Sequence, residues 1–356
     1  MGSLLIGSGQ FEQAVARVLP DKEVPMHYVG VDLHRRSVVV TVVDEQGQVL
    51  QARSFACTEQ EVIQAFFRTI CPFKAVIEAS SSYRWLYDLI SPLGQVVLAH
   101  PLRLRAIVSG RAKTDKLDSQ MLASLLRANL IPTAYVPPER YQRLRDFARG
   151  RARLSQRMVE AKNELHTLLR KKNVHVPYVN IFCKSGKRYI GELDLDGPDC
   201  VLRDELLRRI AHFEVEIVGL DERLVEVAVE FPEVEALRGL HGIGLYSALL
   251  IIGEIGEPWR FRDGRKVGAY AGLTARVSQS GDHCYHGHIT RQGSPWLRWI
   301  LVQGAMKVTR GDRELNNFYT RIRKRSSAKI ARVAVARKLA AICWIRLMGW
   351  HREQAA

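Results

Sequence analysis

At 356 residues the chain is long enough for two or three domains with ample buried core, and its 47% hydrophobic content is that of a soluble globular protein. No uncharged apolar run reaches the roughly 18 residues of a membrane span, which argues against a transmembrane protein. Lys plus Arg outnumber Asp plus Glu by 53 to 37, for a formal net charge of +16, so nucleic acid, held in a salt-dependent way, is the first partner to expect.

The opening stretch MGSLLIGSGQFEQAVARVLPDKEVP lacks the basic start and continuous apolar segment of a signal peptide, and residues 1–26 read as a loose or weakly helical leader. Six cysteines, Cys57, Cys71, Cys183, Cys200, Cys284 and Cys343, lie far apart with no C-x-x-C pair, as expected of reduced thiols in the cytoplasm. Residues 27–56 predict three antiparallel strands, their β-branched runs separated by a DEQG turn. A helix over about 59–70, a buried strand KAVIEA, a helix over about 82–91 and a strand QVVLAH follow. A further helix over 115–128 places Leu117, Met121, Leu122, Leu125 and Leu126 on one apolar face. This is an α/β domain over 27–137, closing near Pro132, Pro137 and Pro138.

The next region, 138–232, is helical. Leu144, Phe147, Arg151, Leu154, Met158, Ala161, Leu165 and Leu168 form a heptad seam with one basic intrusion. Leu206, Ile210, Phe213, Ile217, Leu220, Leu224 and Val227 repeat the spacing, which predicts a coiled-coil arm paired within one chain or across two. From 233 to 356 a mainly helical domain follows. Its LRGLHGIGLYSALLIIGEIG segment resembles a helix-hairpin-helix element, whose turn amides can receive a backbone phosphate. A Gly-rich segment over 264–293 leads into helices with basic surfaces such as YTRIRKRSSAKIARVAVARK.

Four carboxylates point to chemistry. Asp115 and Asp118, in GRAKTDKLDSQM, lie one helical turn apart amid Arg111, Lys113 and Lys116, and a bound cation relieves their repulsion. A hard ion such as Mg²⁺ takes carboxylate oxygens, water and a substrate phosphate. Asp32 interrupts the end of the first apolar strand and Glu78 ends KAVIE, where an acid is costly unless paired or metal-bound. Strand Asp, strand Glu and a helical Asp pair make the arrangement of an RNase H-like nuclease core. Far along the chain, Ser278 and Ser280 stand beside Gly281 with Arg276, Arg291 and Arg298 near, a composition that permits a serine to attack a phosphodiester. The histidine-rich stretch His283, Cys284, His286 and His288 does not match zinc-ligand spacings.

These motifs resemble a known family: GVDLH, VIEAS, AKTDKLDSQMLASLL, LHGIGLYSALLIIGEIG, and YAGLTARVSQSG followed by HGHITRQGSPWLRWILVQGA are similar to the DEDD-type insertion-sequence transposases of the IS one-ten family, bridge-RNA-guided serine recombinases. The likeness spans about residues 27–350. It implies a RuvC-like domain with its acidic tetrad on Asp32, Glu78, Asp115 and Asp118, a coiled-coil linker, and a C-terminal transposase domain whose nucleophile is Ser280, the serine directly before glycine, with Ser278 as competitor. It implies Mg²⁺ as cofactor, donor and target DNA with a structured non-coding bridge RNA as partners, a homo-oligomeric dimer or tetramer, and the bacterial cytoplasm, on the nucleoid, as location. The stretch DHCYHGH is richer in histidine and poorer in basic residues than the family pattern. Two rivals stand beside this expectation: a RuvC-like metal-dependent junction nuclease that uses water and no serine, and a non-catalytic nucleic-acid-binding protein.

Overall fold

The structure, a computed structural model, describes residues 25–107, 115–280 and 283–355. The chain divides into two compact units, residues 1–136 and 137–356. The expected leader falls outside the described residues up to position 24.

In the first unit β1 (His27–Leu33), β2 (Ser37–Val43) and β3 (Val49–Ala56) form an antiparallel meander, followed by α1 (Gln60–Thr69), β4 (Phe73–Glu78), α2 (Tyr83–Ile90) and β5 (Gln95–Ala99). Next come α3 (Pro101–Ile107), α4 (Asp115–Arg127) and a two-residue β6 (Thr133–Ala134). The sheet order is β3-β2-β1-β4-β5-β6, with β1, β4 and β5 parallel and β6 antiparallel to β5. That mixed α/β order is compatible with the RNase H-like domain expected. The sequence reading missed only α3 and β6.

Both faces of the sheet are covered, so its central strands read as continuous apolar runs rather than alternating ones. On one face Val29, Val31, Val38, Val40 and Ile77 pack with Ile63, Phe67, Leu86 and Ile90, which come from α1 and α2. On the other, Val76 and Ala99 meet Leu104 of α3 and Leu122 of α4. Gly30 lets α4 approach that face: a Cβ there would lie 1.9 Å from the Ser119 carbonyl oxygen and 2.5 Å from the Ala123 amide nitrogen. No side chain fits between two backbones so close. Thr41, the cross-strand partner of Gly30, fixes the same contact through its Oγ1, 2.7 Å from Ser119 Oγ.

The second unit opens with α5 (Glu139–Lys171), α6 (Lys184–Gly191) and α7 (Gly197–Ala228). The two long helices pack along each other within the chain, and both predicted heptad seams face inward. Their outer stretch has its own core, with Ala161, Leu165 and Leu168 against Leu206, Ile210 and the α6 residue Ile190. Nearer the base, Tyr141, Leu144, Ala148 and Leu224 join the main core of the unit. Arg151, the basic intrusion, is resolved by a two-pronged pair: its Nε and Nη2 donate to Asp221 Oδ1 and Oδ2 at 2.9 and 2.8 Å, and its guanidinium lies 4.1 Å from the Tyr246 ring centroid. Burial opposes the charge on Arg151, yet the Asp221 hydrogen bond and charge outweigh it and hold the guanidinium above its usual range.

The rest of the unit comprises α8 (Val234–Arg238), α9 (Leu245–Ile255), α10 (Gly264–Tyr270), a ribbon of β7 (Ala275–Ser280) and β8 (His283–Ile289), then α11 (Pro295–Gly311), α12 (Arg313–Arg325) and α13 (Ala328–Ala355). Within apolar α9, Glu254 is fully buried and still satisfied. Arg149 donates to both its oxygens at 2.6 and 3.0 Å, and Ser294 Oγ donates at 2.7 Å while also accepting from the Leu297 amide as the cap of α11. A buried acid with three donors becomes a clamp between α5, α9 and α11. Among the described residues no helix is long and apolar enough to cross a membrane.

Candidate active site

Asp32 and Glu78 occupy matching places on neighbouring strands. Val31 and Ile77 are partners in the parallel β1–β4 pair, so the next residue on each strand, Asp32 and Glu78, comes at the same end of the sheet. Side chains alternate along a strand, which puts Asp32 with Gly30 and Glu78 with Val76 on the face covered by α4. The direction of α4 follows from two contacts. Its last residue, Arg127, donates to the Glu45 carbonyl oxygen at 3.1 Å, beyond the end of β2 that pairs with the start of β1. Its second turn lies on Gly30. Helix α4 therefore runs opposite to β1, and its first turn, carrying positions 115 and 118, comes at the end where β1 and β4 finish.

Asp118 precedes Leu122 by one turn, on the stripe of Ser119, Leu122 and Ala123 that is buried against the sheet. Asp32 is 15% exposed and its Oδ2 lies 3.0 Å from His34 Nε2. The fold thus brings the backbone positions of all four predicted acids to one end of one face. Side chains go less far: among the described residues no three His, Cys, Asp or Glu groups lie close enough to share a metal ion, and the Asp115 side chain lies outside the described residues. In kind, an all-carboxylate donor set at a strand end suits a hard divalent ion, which takes oxygen ligands and keeps water and phosphate in the rest of its shell.

The predicted serines belong to the second unit. Ser280 is the last residue of β7 and pairs with His283 across the ribbon, and Ser278 pairs with Tyr285. The Gly-rich segment over 264–293 holds α10 followed by this two-stranded ribbon. Ser278 and Ser280 lie two positions apart on this one strand. Their side chains, residues 281 and 282, and the side chains of His283, Cys284 and His286 lie outside the described residues.

The foot of the ribbon is pinned by backbone bonds: the Thr290 amide donates to Thr274 O at 2.8 Å, the Arg291 amide to Gly272 O at 3.2 Å, and the Ser294 amide to Tyr270 O at 3.0 Å. Arg298, expected near the serine, donates through Nη1 to the carbonyls of Ala271 and Arg291 at 3.0 and 3.2 Å, so it acts as a brace there. Burial first, and the charge of Arg291 second, pull the Arg298 guanidinium below its usual range. In the helix-hairpin-helix-like stretch, Gly242 takes φ +79° and Gly244 stands at the start of α9, whose first turn, carrying Tyr246, lies beside Asp221.

Comparison with known proteins finds matches in both units of the chain. Residues 29–173 match the DEDD transposases of the IS110 type, and residues 234–320 match the family described as Transposase IS116/IS110/IS902. A probable family 20 transposase of Pseudomonas aeruginosa is 26% identical over 90% of this chain and 96% of its own length. The transposase for insertion sequence element IS1328 of Yersinia enterocolitica is 23% identical, over 89% of this chain and 95% of its own length. That for element IS1111A of Coxiella burnetii is 22% identical, over 90% and 89%. The two family matches fall one on the acid-bearing sheet and its following helix, the other on the helical unit, and the non-catalytic reading is set aside: the chain is a DNA transposase, similar along most of its length to insertion-sequence transposases and matching the IS110 type in both of its units.

Proposed function

We propose that this transposase is an RNA-guided recombinase that joins donor and target DNA through a phosphoserine intermediate, with Ser280 as nucleophile and Asp32, Glu78, Asp115 and Asp118 as holders of Mg²⁺. The observation that carries the acidic half is the common end of β1, β4 and α4, where an apolar sheet face finishes in carboxylates. Carboxylates gathered at one end of a sheet repel one another, and a hard divalent cation with oxygen ligands relieves that repulsion. When bound, Mg²⁺ supplies polarisation of the scissile phosphate and neutralises its developing charge.

In the covalent step Ser280 Oγ bonds to the phosphorus as the bond from phosphorus to one DNA oxygen breaks. The proton leaving Oγ is balanced by the proton taken up by the departing DNA hydroxyl. Bond energy is thereby kept in the serine ester, and attack by a hydroxyl of another strand reverses the step and regenerates the serine. The excess of cations and the lack of a base-reading motif support a division of labour in which a bridge RNA chooses sequence by pairing and the protein holds backbone, as a dimer or tetramer.

Incubating the protein with element-end DNA, its co-purifying RNA and Mg²⁺, then running a denaturing gel, tests the scheme. Ser280→Ala should give neither protein–DNA adduct nor joined product, and Ser278→Ala should give both. Cleavage that persists in Ser280→Ala without an adduct would establish the hydrolytic nuclease reading instead.

A further inference from the structure

A groove of about 950 Å³ runs at the foot of the β7–β8 ribbon, between it and α10, α12 and α13. It belongs neither to the acids nor to the two serines. Its floor is apolar, formed by Leu273, Ile289, Phe318, Ile330 and Val333. Its rim is cationic: Arg265, Arg291, Lys329, Arg337 and Lys338 line it, and no carboxylate does. Among the described residues only Arg265 of these five is within ion-pair distance of an acid, Asp263, at 3.6 Å. The Lys338 ammonium lies 4.2 Å from the centroid of the Phe318 ring. The start of the long helix α13 also opens here, adding the partial positive charge of a helix N-terminus.

Such a combination selects its occupant. A duplex presents charged backbone outside and hides its bases, so it can use the rim and not the floor. An uncharged apolar segment can use the floor and not the rim. A single strand of nucleic acid presents both flat apolar bases and phosphates, and matches both. Arg291 is also set in place beforehand: it sits at φ +54°, a strained region for a side-chain-bearing residue, held by its bond to Gly272 and by Arg298. We propose that this groove is a single-stranded DNA subsite, with bases on the Phe318 and Ile330 floor and phosphates on the rim of Arg291, Lys329, Arg337 and Lys338. DNA is the polymer on which this enzyme acts, and β7 leads from the groove at Ala275 to Ser280, about 17 Å of extended strand. An unpaired stretch held there remains tethered a few nucleotides from the ribbon tip, as a strand opened for exchange requires. The inference rests on DNA being the substrate and is independent of the roles proposed for the acids and Ser280.

The full-length protein in EDTA, where no cleavage occurs, provides the test. Fluorescence anisotropy would be read with labelled oligo(dT), an abasic strand of equal length, oligo(U) and a hairpin duplex. Ile330 is 56% exposed, so Ile330→Glu keeps the fold while placing an anion on the floor. It should weaken oligo(dT) binding about tenfold, the scale of one lost base-stacking contact, and leave the duplex unchanged. Phe318→Ala should act in the same direction, and the preference of the parent protein for oligo(dT) over the abasic strand should vanish in both variants. Unchanged oligo(dT) binding in Ile330→Glu, an equal loss for duplex, or tighter binding of oligo(U) than of oligo(dT) that the variant abolishes would each overturn the proposal.

Discussion

Gly30 shows how one missing side chain sets the geometry of the acidic end. Its neighbours across the gap are backbone atoms of Ser119 and Ala123, which cannot rotate away, so Gly30→Ala must push α4 off the sheet. The expected cost is about 3 kcal/mol, the upper part of the range for overpacking a core, read as a fall in the urea midpoint. Because α4 carries Asp115 and Asp118, strand cleavage should fall further than stability alone explains at a temperature where the variant is folded. Asp32 and Glu78 were legible in the sequence because an acid closing an apolar strand needs a reason. Gly30 was not: a glycine inside a strand names no partner, and its partner lies about ninety positions away along the chain, too far for any local pattern to show.

At the scale of elements, the heptad spacing gave away both long helices and the faces they bury. What it could not give was the remedy for Arg151, since Asp221 is supplied by the other helix through a fold of the chain. Helix α3 was missed because PLRLRAI is short and follows directly on a strand, and the β7–β8 ribbon because its glycines, serines and histidines carry the composition of a loop. Two ion pairs of similar geometry should differ in worth. Asp221 is 42% exposed, so Asp221→Ala leaves Arg151 with Ser155, the Tyr246 ring and some water, at an expected cost of about 1 kcal/mol. Glu254 is fully buried, so Arg149→Ala strands a carboxylate and should cost about 3–5 kcal/mol. Chemical denaturation of the two variants, run side by side, measures the difference, and equal losses would mean that burial does not govern these pairs.

Over the whole molecule, charge and chemistry pull in opposite directions, and that separates them experimentally. A net charge of +16 attracts DNA through counterion release, while each acid of the proposed metal site subtracts from that attraction. Replacing Asp32 with Asn, or Glu78 with Gln, removes one negative charge and nearly preserves shape. If these acids served only to tune the surface, DNA binding and strand cleavage would move together. If they hold Mg²⁺, the two must part: DNA affinity in EDTA should stay level or rise slightly, and cleavage in Mg²⁺ should drop to background. Thermal unfolding gives a readout free of DNA, because an ion that binds the folded chain raises its stability by mass action. The parent protein should melt higher as Mg²⁺ is added, and Asp32→Asn, Glu78→Gln and Asp118→Asn should lose most of that rise. A magnesium-dependent rise that survives all three substitutions would place the ion elsewhere and leave the carboxylates at the ends of β1, β4 and α4 without the role proposed for them.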